Sequence, residues 1–247
     1  MTFTKENKLA EIVINNQKAA MIFENYNIDY SNAGDKKISE ICKFNSEELL
    51  EKINKLNGSA INKLNDWSPD FLCDYIVSNH HIYIKKTFPV LISRIKSLTR
   101  NRKIEKKTSD ALMQLHSDFE IHMNKEEKLI FPYIKKLVKT DIEKRTFEIE
   151  PFGSVSELIK VMLKEHLNAY EQLKNIIADI NRSVKGHSDE IEINEFLKLF
   201  REFETDFHFH IHIENNILFP KSIILERKLK RKNSINNLKL KNKNQTK

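Results

Sequence analysis

The sequence predicts an all-α protein, built as an antiparallel four-helix bundle with a small helical domain in front of it. The first observation is the scarcity of chain breakers, because only 4 Gly and 5 Pro occur in 247 residues. A β-rich fold needs many turns and therefore more of these residues. The second observation is a set of long segments in which apolar residues recur every three or four positions, as in amphipathic helices. With 40% hydrophobic residues, the chain is long enough for one good-sized core.

The N-terminal domain is expected at 1–60 as a group of short helices. Helical periodicity runs through IVINNQKAAMIFENY (12–26), and shorter helical pieces follow in ISEIC (38–42) and SEELLEKINKL (46–56). The run Asn57-Gly58-Ser59 predicts a break behind them, because Asn and Gly are common in turns.

The four helices of the bundle are expected within a second domain at 68–225. Ser68 and Pro69 form a typical helix start, with Ser as the N-cap and Pro at the first helical position. The stretch FHFHIHI (207–213) alternates in the manner of a β-strand. It is nevertheless predicted as helix, because it lies inside a long apolar pattern without a breaker and a lone strand has no partner. The helical patterns lie near 69–98, 107–139, 153–182 and 190–225.

The basic character of the chain is concentrated in its last segment, 226–247. This segment holds nine Lys or Arg and one Glu, so it contributes +8 to a net charge of +7, and the residues before it sum to about −1. Lys- and Asn-rich segments of this kind are commonly disordered. We therefore expect a solvated, disordered tail and no specific nucleic-acid partner.

The sequence is typical of a cytoplasmic protein without a membrane partner. No run of about 18 apolar residues occurs. The segment MTFTKENKLAEIVI (1–14) lacks the basic-then-apolar order of a signal peptide. The two cysteines, Cys42 and Cys73, form neither a CxxC motif nor a disulfide framework, which fits a reducing compartment.

One motif occurs twice, as HMNKEEKLIFP at 122–132 and as HIHIENNILFP at 210–220. Each copy places a His four residues before a Glu, and at about 100° per residue these two side chains share one helix face. The face of His122 and Glu126 is otherwise formed by Leu115, Phe119, Leu129 and Tyr133. A buried carboxylate without a partner is costly, so the two faces need a positively charged partner such as a metal ion.

The other two helices send one His each toward the same interior. His166 shares a face with Met162, and His81 shares a face with Phe88. A single His on an apolar face is more often a hydrogen-bonded core residue than a ligand. Four such His and two Glu could instead hold two metal ions with the carboxylates bridging, and this mixed ligation suits iron, with manganese or zinc as alternatives. The candidate ligands are His81, His122, Glu126, His166, His210 and Glu214.

Other polar residues of these helices are assigned lesser roles. His208 and His212 fall on the opposite face of the fourth helix and are expected to be exposed. His80 points about 100° away from its neighbour and is therefore not a candidate ligand. His116 and Glu165 are candidates for a supporting role beside the ligands, and Glu165 could equally be a solvated residue.

With these motifs, the chain resembles the repair-of-iron-centres family of hemerythrin-like di-iron proteins, the ScdA/YtfE type. The segment at 122–132 is similar to the family element HMxKEExxLFP, and the segment at 210–220 to HxxxENNxLFP. VMLKEH (161–166) is similar to the third-helix M-x-x-EH stretch. HHIYIKKTFP (80–89) is similar to the first-helix His that is followed eight residues later by Pro, which selects His81.

The resemblance implies a hemerythrin-like bundle with a non-haem centre of two iron ions, joined by an oxo or hydroxo bridge. Glu126 and Glu214 would be the bridging carboxylates. The iron ligands that the resemblance implies are His81, His122, Glu126, His166, His210 and Glu214.

The segment KAAMIFENYNIDYSNAG (18–34) resembles the family's N-terminal signature A-x-x-F-E-x-x-x-IDYCCGG, with a clear departure. Where the family has Cys-Cys, this chain has Ser31 and Asn32, and Ala33 replaces the first Gly while Gly34 remains. Any redox role of that cysteine pair therefore does not carry over to this chain.

The resemblance implies a cytoplasmic protein that restores iron–sulfur clusters damaged by oxidative or nitrosative stress, as an iron donor rather than as a classical enzyme. Damaged iron–sulfur proteins would be its partners, and O2 or nitric oxide would be small ligands of the centre. The alternatives are a hemerythrin-like sensor or store of O2 or nitric oxide, a di-iron enzyme that reduces nitric oxide, and a metal-free helical interaction protein. The oligomeric state is open, with a homodimer as one option.

Overall fold

A computed structural model describes residues 2–42, 46–56, 64–101, 103–148, 150–184 and 191–245, of which 236–245 are described by their backbone alone. The predicted break at Asn57-Gly58-Ser59 lies outside these residues. The described part of the chain consists of helices and their connections, without a β-strand. No helix in this part has the length and the apolar run that a membrane crossing requires.

Four short helices form the N-terminal unit. Helices of this length are not stable alone in water, so they depend on burying apolar side chains against one another and against the bundle. Their largest buried side chains include Leu9, Phe23, Ile38, Leu49 and Ile53. The helices are α1 (Leu9–Asn15), α2 (Ala19–Asn25), α3 (Ile38–Ile41) and α4 (Ser46–Lys55), and a 3₁₀ turn follows at Leu64–Asp66.

Four long helices form the bundle, which confirms the predicted all-α fold class. The start of the first long helix packs against the end of the second, and its end packs against the start of the second. The stretch at 207–213 is helical, as predicted, despite its strand-like alternation. The helices are α5 (Pro69–Tyr75, Ile76–His81 and Ile82–Arg100), α6 (Lys106–Lys125, Glu126–Ile130 and Phe131–Ile142), α7 (Val155–Ser183) and α8 (Ile191–Ile213, Glu214–Leu218 and Phe219–Gln245).

Local sequence sets where two of these helices begin. Ser68 adopts an extended backbone and Pro69 occupies the first turn of α5, where its missing N–H costs nothing. At α7, the Ser154 side chain accepts a hydrogen bond from the backbone N–H of Glu157. The Glu157 carboxylate accepts one from the backbone N–H of Ser154 in return. This reciprocal capping box fixes the first turn of the helix that carries His166.

The middle segments of α5, α6 and α8 are single wide π-helical turns. In α6 the backbone N–H of Phe131 donates to the carbonyl of Glu126, and Pro132 follows directly. Because a proline lacks an N–H and its ring crowds the carbonyl four residues back, the wider turn accommodates it. The extra residue changes which side chains face inward. Leu129 is 37% exposed and Ile130 only 1%, so the prediction that Leu129 lies on the buried face is wrong.

The buried apolar side chains form two clusters along the bundle. The N-terminal cluster joins the N-terminal unit to one end of the bundle and includes Phe23 and Leu218. The distal cluster fills the other end and includes Phe88 and Phe203. The boundary between the clusters falls on each long helix beside a candidate ligand. These boundary residues are His81, His122, His166 and His210.

The described residues of the segment predicted to be a disordered tail are helical in the structure. Helix α8 continues through 226 and is described as far as Gln245. Glu226 and Leu229 are buried, so the bundle extends beyond 225. The Glu226 carboxylate accepts hydrogen bonds from the Tyr133 hydroxyl at 2.7 Å and from the Val155 backbone N–H at 3.0 Å. The segment was predicted as disordered because its composition is rich in Lys and Asn, although a few of its residues are buried.

Candidate metal centre

Six buried side chains from the four long helices meet between the two apolar clusters. The potential ligand atoms form two groups, and within each group they all lie within 4.8 Å of one another. Group one contains His81, Glu126, His210 and Glu214. Group two contains His122, Glu126, His166 and Glu214. The structure therefore brings together all six residues that the sequence singles out.

The two glutamates belong to both groups, and their oxygens are divided between them. Glu126 places Oε2 at 3.3 Å from His81 Nε2 and Oε1 at 3.3 Å from His122 Nε2. Glu214 places Oε1 at 3.1 Å from His210 Nε2 and Oε2 at 3.2 Å from His166 Nε2. Each carboxylate thus directs one oxygen toward each group, and each oxygen is paired with one imidazole.

The chemistry of this cluster fits bound cations. None of the four oxygens of Glu126 and Glu214 forms a hydrogen bond within the described part of the chain, although both residues are fully buried. Burial alone would lower the pKa of His122, but the negative charge of Glu126 raises it to about 10. Buried carboxylates of this kind require a positive partner. A metal ion in each group would supply that charge and would bind the oxygens that form no hydrogen bond here.

Three of the four imidazoles are oriented by a hydrogen bond at Nδ1. The Nδ1 atom of His81 lies 2.8 Å from Glu127 Oε1, and that of His122 lies 2.8 Å from Glu165 Oε2. The His122 contact is the main cause that lowers the pKa of Glu165 to about 2. A carboxylate at Nδ1 favours the tautomer with the proton on that atom and leaves Nε2 free to bind a metal. This is the usual arrangement behind a metal-bound His.

Glu127 and Asn215 are supporting residues that the sequence reasoning missed. Glu127 contacts His81, and the Oδ1 atom of Asn215 lies 2.7 Å from Nδ1 of His166. Both occupy the same position of the repeated motif, directly behind the shared glutamate. Their equivalent positions in the two copies of the motif could have indicated that both residues support the site. The structure places Glu165 beside His122, so this residue has the supporting role rather than the solvated one.

Comparison with known proteins identifies the family to which the chain belongs. The model of the hemerythrin HHE cation-binding domain matches residues 74–222, which is more than half of the chain and includes all six clustered residues. The chain belongs to the hemerythrin family. This confirms that the chain is hemerythrin-like, as the motifs indicate, and the His/Glu cluster is the candidate metal site of this cation-binding domain.

Curated relatives of this hemerythrin domain protein match almost the whole chain. Two of them are the proteins named iron-sulfur cluster repair protein YtfE from Shigella boydii serotype 4 and from Escherichia coli O157:H7. Each is 25% identical over 229 residues, which cover 89% of this chain and 97% of the relative. The match therefore includes the N-terminal unit as well as the hemerythrin bundle.

The repeated motif makes the two halves of the hemerythrin site equivalent in sequence, but this equivalence fails at one residue. Glu165 precedes His166 and contacts His122. The equivalent residue in the other half is His80, which precedes His81. His80 does not bind Nδ1 of His210. It stacks on that ring at 5.6 Å and 6°, and its own Nδ1 lies 2.8 Å from Asp206 Oδ1. His80 is therefore buried against the cluster, although its position on the helix predicted no role there.

The prediction that His208 and His212 are exposed is wrong, because the N-terminal unit covers their face of α8. His212 packs against the Tyr30 ring at 5.6 Å, and its Nδ1 lies 3.1 Å from Asn216 Nδ2. Burial lowers the pKa of His212 to about 4, so this side chain is neutral near pH 7. His208 is buried against Tyr170. Neither residue belongs to the metal groups.

A cavity of about 260 Å³ reaches the hemerythrin site between α6 and α7. His122 and His166 of group two line its inner end, and Phe119 adds an apolar wall. Lys125 and Glu165 also line it and form an ion pair at 2.5 Å. The cavity connects group two with the protein surface. His116, the other candidate for a supporting role, instead packs edge-on against Phe88.

Proposed function

We propose that the hemerythrin site holds two iron ions, one in each group, with Glu126 and Glu214 as bridging ligands. The observation that carries this proposal is the division of each carboxylate, whose two oxygens lie near imidazoles of different groups. Imidazole and carboxylate together suit iron better than calcium or magnesium. The remaining ligands would be the Nε2 atoms of His81, His122, His166 and His210.

We propose that this centre serves the repair of damaged iron–sulfur clusters, with the chain acting as an iron donor. The support is the match to curated relatives named for iron–sulfur cluster repair over both the bundle and the N-terminal unit. Bound iron supplies a change of oxidation state and exchangeable coordination positions. The protein residues bury the ions, orient the imidazoles through Nδ1, and leave one cavity beside group two. Damaged iron–sulfur proteins would receive the iron.

The test has two stages, which separate the metal site from the activity. Elemental analysis of anaerobically purified protein should give about two irons per chain. The loaded protein should then restore activity to a purified iron–sulfur enzyme whose cluster was damaged by peroxide or nitric oxide. Two irons without restoration would contradict the repair role. Zinc, or no metal after reconstitution with ferrous iron, would contradict the di-iron centre.

A second candidate function is the reversible binding of O2 or nitric oxide. The cavity that reaches His122 and His166 favours it, because its volume admits small molecules beside the apolar wall of Phe119. A stable and reversible O2 adduct of the reduced protein in visible spectra would favour this reading over iron donation. Repeated turnover of nitric oxide beyond one equivalent per site would instead indicate an enzyme.

Single His variants should separate the two metal groups. His122→Ala removes a ligand of group two and His210→Ala a ligand of group one, while the apolar residues around them remain. Each variant is expected to lose at least one of the two iron equivalents, that of its own group first, with helical content unchanged by circular dichroism. His116→Ala, which changes a His on the same helix as His122, is the matched control. Full metal content in either ligand variant would contradict the ligand assignment.

A further inference from the structure

The turn that replaces the family's cysteine pair is locked by its own side chains. The carboxylate of Asp29 accepts hydrogen bonds from the Ser31 backbone N–H at 3.1 Å and the Ser31 hydroxyl at 2.7 Å. It also accepts from the Asn32 backbone N–H at 2.9 Å and from Asn32 Nδ2 at 3.1 Å. The Ser31 carbonyl and Asn32 Oδ1 remain as acceptors on the side that faces α8.

Asn215 connects these two acceptors to a metal-site imidazole. Its Nδ2 atom lies 3.3 Å from the Ser31 carbonyl oxygen and 3.3 Å from Asn32 Oδ1. A carbonyl oxygen can only accept a hydrogen bond, so the amide NH2 of Asn215 must face the turn. Its Oδ1 then faces His166 Nδ1 at 2.7 Å. His166 must donate from Nδ1 and present its Nε2 lone pair to group two.

His166 differs in this respect from the other imidazoles of the site. His81 and His122 are oriented by carboxylates of the bundle itself, Glu127 and Glu165. The Nδ1 atom of His210 has no hydrogen bond within the described residues. His166 is supported by an amide whose orientation depends on the N-terminal unit. The occupancy of group two is thereby linked to a separate part of the chain.

We propose that the 29–32 turn acts through Asn215 as a positioning element for His166, so that the contact of this turn with Asn215 sets how tightly group two holds its iron. This inference rests on the proposed di-iron site. The Ser31–Asn32 pair does this through hydrogen-bond acceptors and needs no thiol chemistry. Displacing the turn frees the Asn215 amide to rotate, and group two loses a correctly oriented imidazole while group one keeps both of its own.

Gly34 offers a variant that disturbs the packing of the turn against α8 without changing Asn215 or a ligand. A Cβ at this position would lie 2.3 Å from the Oδ1 atom of Asn216, so Gly34→Ala must displace either the turn or the Asn216 side chain. Asn216 holds the turn by donating to the Ser31 carbonyl at 3.0 Å. Asn32→Ala is a second variant, since it removes one acceptor of Asn215.

Thr205→Val is the matched control. The Thr205 hydroxyl of α8 donates a hydrogen bond at 3.0 Å to Glu24 of the N-terminal unit, but it lies outside the chain of contacts that leads to His166.

The experiment is a stepwise titration of the full-length protein with ferrous iron under anaerobic conditions, in competition with a chromophoric chelator. Asn215→Ala should weaken one of the two equivalents by about 10- to 100-fold, the usual effect of losing a partner behind a metal-bound His. Gly34→Ala and Asn32→Ala should weaken the same equivalent by at least several-fold. Thr205→Val should bind both equivalents as the unmodified protein does. Nitrogen NMR of the zinc-loaded protein should show the His166 Nδ1 proton lost or exchanging in the turn variants.

Each result decides one of two questions. Fewer than two equivalents in the unmodified protein would contradict the di-iron site itself. Two equivalents that stay unchanged in both turn variants, with a defect only in Asn215→Ala, would overturn the role of the turn. An equal defect in Thr205→Val would also overturn it, because general docking would then be enough. If Gly34→Ala does not fold, Asn32→Ala decides the outcome.

Discussion

Replacing Glu126 with Gln is expected to remove both metal equivalents, whereas losing any one His affects its own group first. The reason is that Glu126 directs one oxygen to His81 in group one and the other to His122 in group two. An amide offers one neutral oxygen and an NH2 group, so one ion loses a ligand outright and both lose a negative charge. We expect each equivalent to weaken by more than about 100-fold, beyond the loss that removal of a partner behind a ligand causes.

Stepwise ferrous iron titration and iron content per chain would measure this effect. Glu120→Gln is the matched control, because Glu120 is an exposed carboxylate on the same helix. It should leave both equivalents unchanged. Glu127→Gln should weaken one equivalent only, since Glu127 supports His81 alone among the ligands. A Glu126→Gln protein that keeps one tight equivalent would contradict the shared position of this carboxylate.

Replacing Glu226 with Ala is expected to destabilise the fold by about 3 kcal/mol, the scale for removing one partner of a buried charged network. Glu226 is buried and accepts from Tyr133, from the first backbone N–H of α7 at Val155, and from Lys230 at 2.9 Å. Its loss leaves the buried Tyr133 hydroxyl and the Val155 N–H without an acceptor. For a chain of this length we expect the melting temperature to fall by roughly 10 °C.

Thermal unfolding followed by circular dichroism would show this change. Arg227→Ala is the control, because Arg227 is the exposed neighbour of Glu226 on the same helix. Its melting temperature should stay within about 2 °C of the unmodified protein. A chain that ends at residue 225 should lose at least as much stability as Glu226→Ala, since it also lacks buried Leu229. Unchanged melting of either altered chain would mean that the bundle ends before 226.

Much of the fold could be predicted because helical periodicity is a local property of the sequence. The four long helices and the helical state of 207–213 follow from apolar spacing and the lack of breakers. The π-helical turns could not be predicted from apolar spacing, because that spacing is interpreted with one constant number of residues per turn. Leu129, which constant helical spacing places on the buried face, is therefore exposed, and Ile130 is buried in its stead. The helical course beyond 225 was missed because overall composition outweighed two buried residues, Glu226 and Leu229.

The six clustered residues could be predicted because each lies on an apolar helix face and within a recognisable motif. One hydrogen-bond partner behind them, Glu165, was a candidate in the sequence. The other two were missed, since the contact of Glu127 with His81 and that of Asn215 with His166 join different helices. Burial of His208 and His212 was missed for a related reason. Their face points away from the bundle interior, and the sequence did not show that the N-terminal unit packs on it.

The division of the core into an N-terminal and a distal cluster has a consequence for cooperativity. The layer between the clusters is filled by His and Glu side chains. The mutual repulsion of the two glutamates and the lost hydration of all six polar side chains oppose folding when no cation is present. Apolar contact alone therefore joins the two ends of the bundle weakly at this level. Metal bound by all four helices would couple the two ends into one folding unit, as metal binding contributes directly to folding free energy. Release of the metal would leave two regions able to open separately.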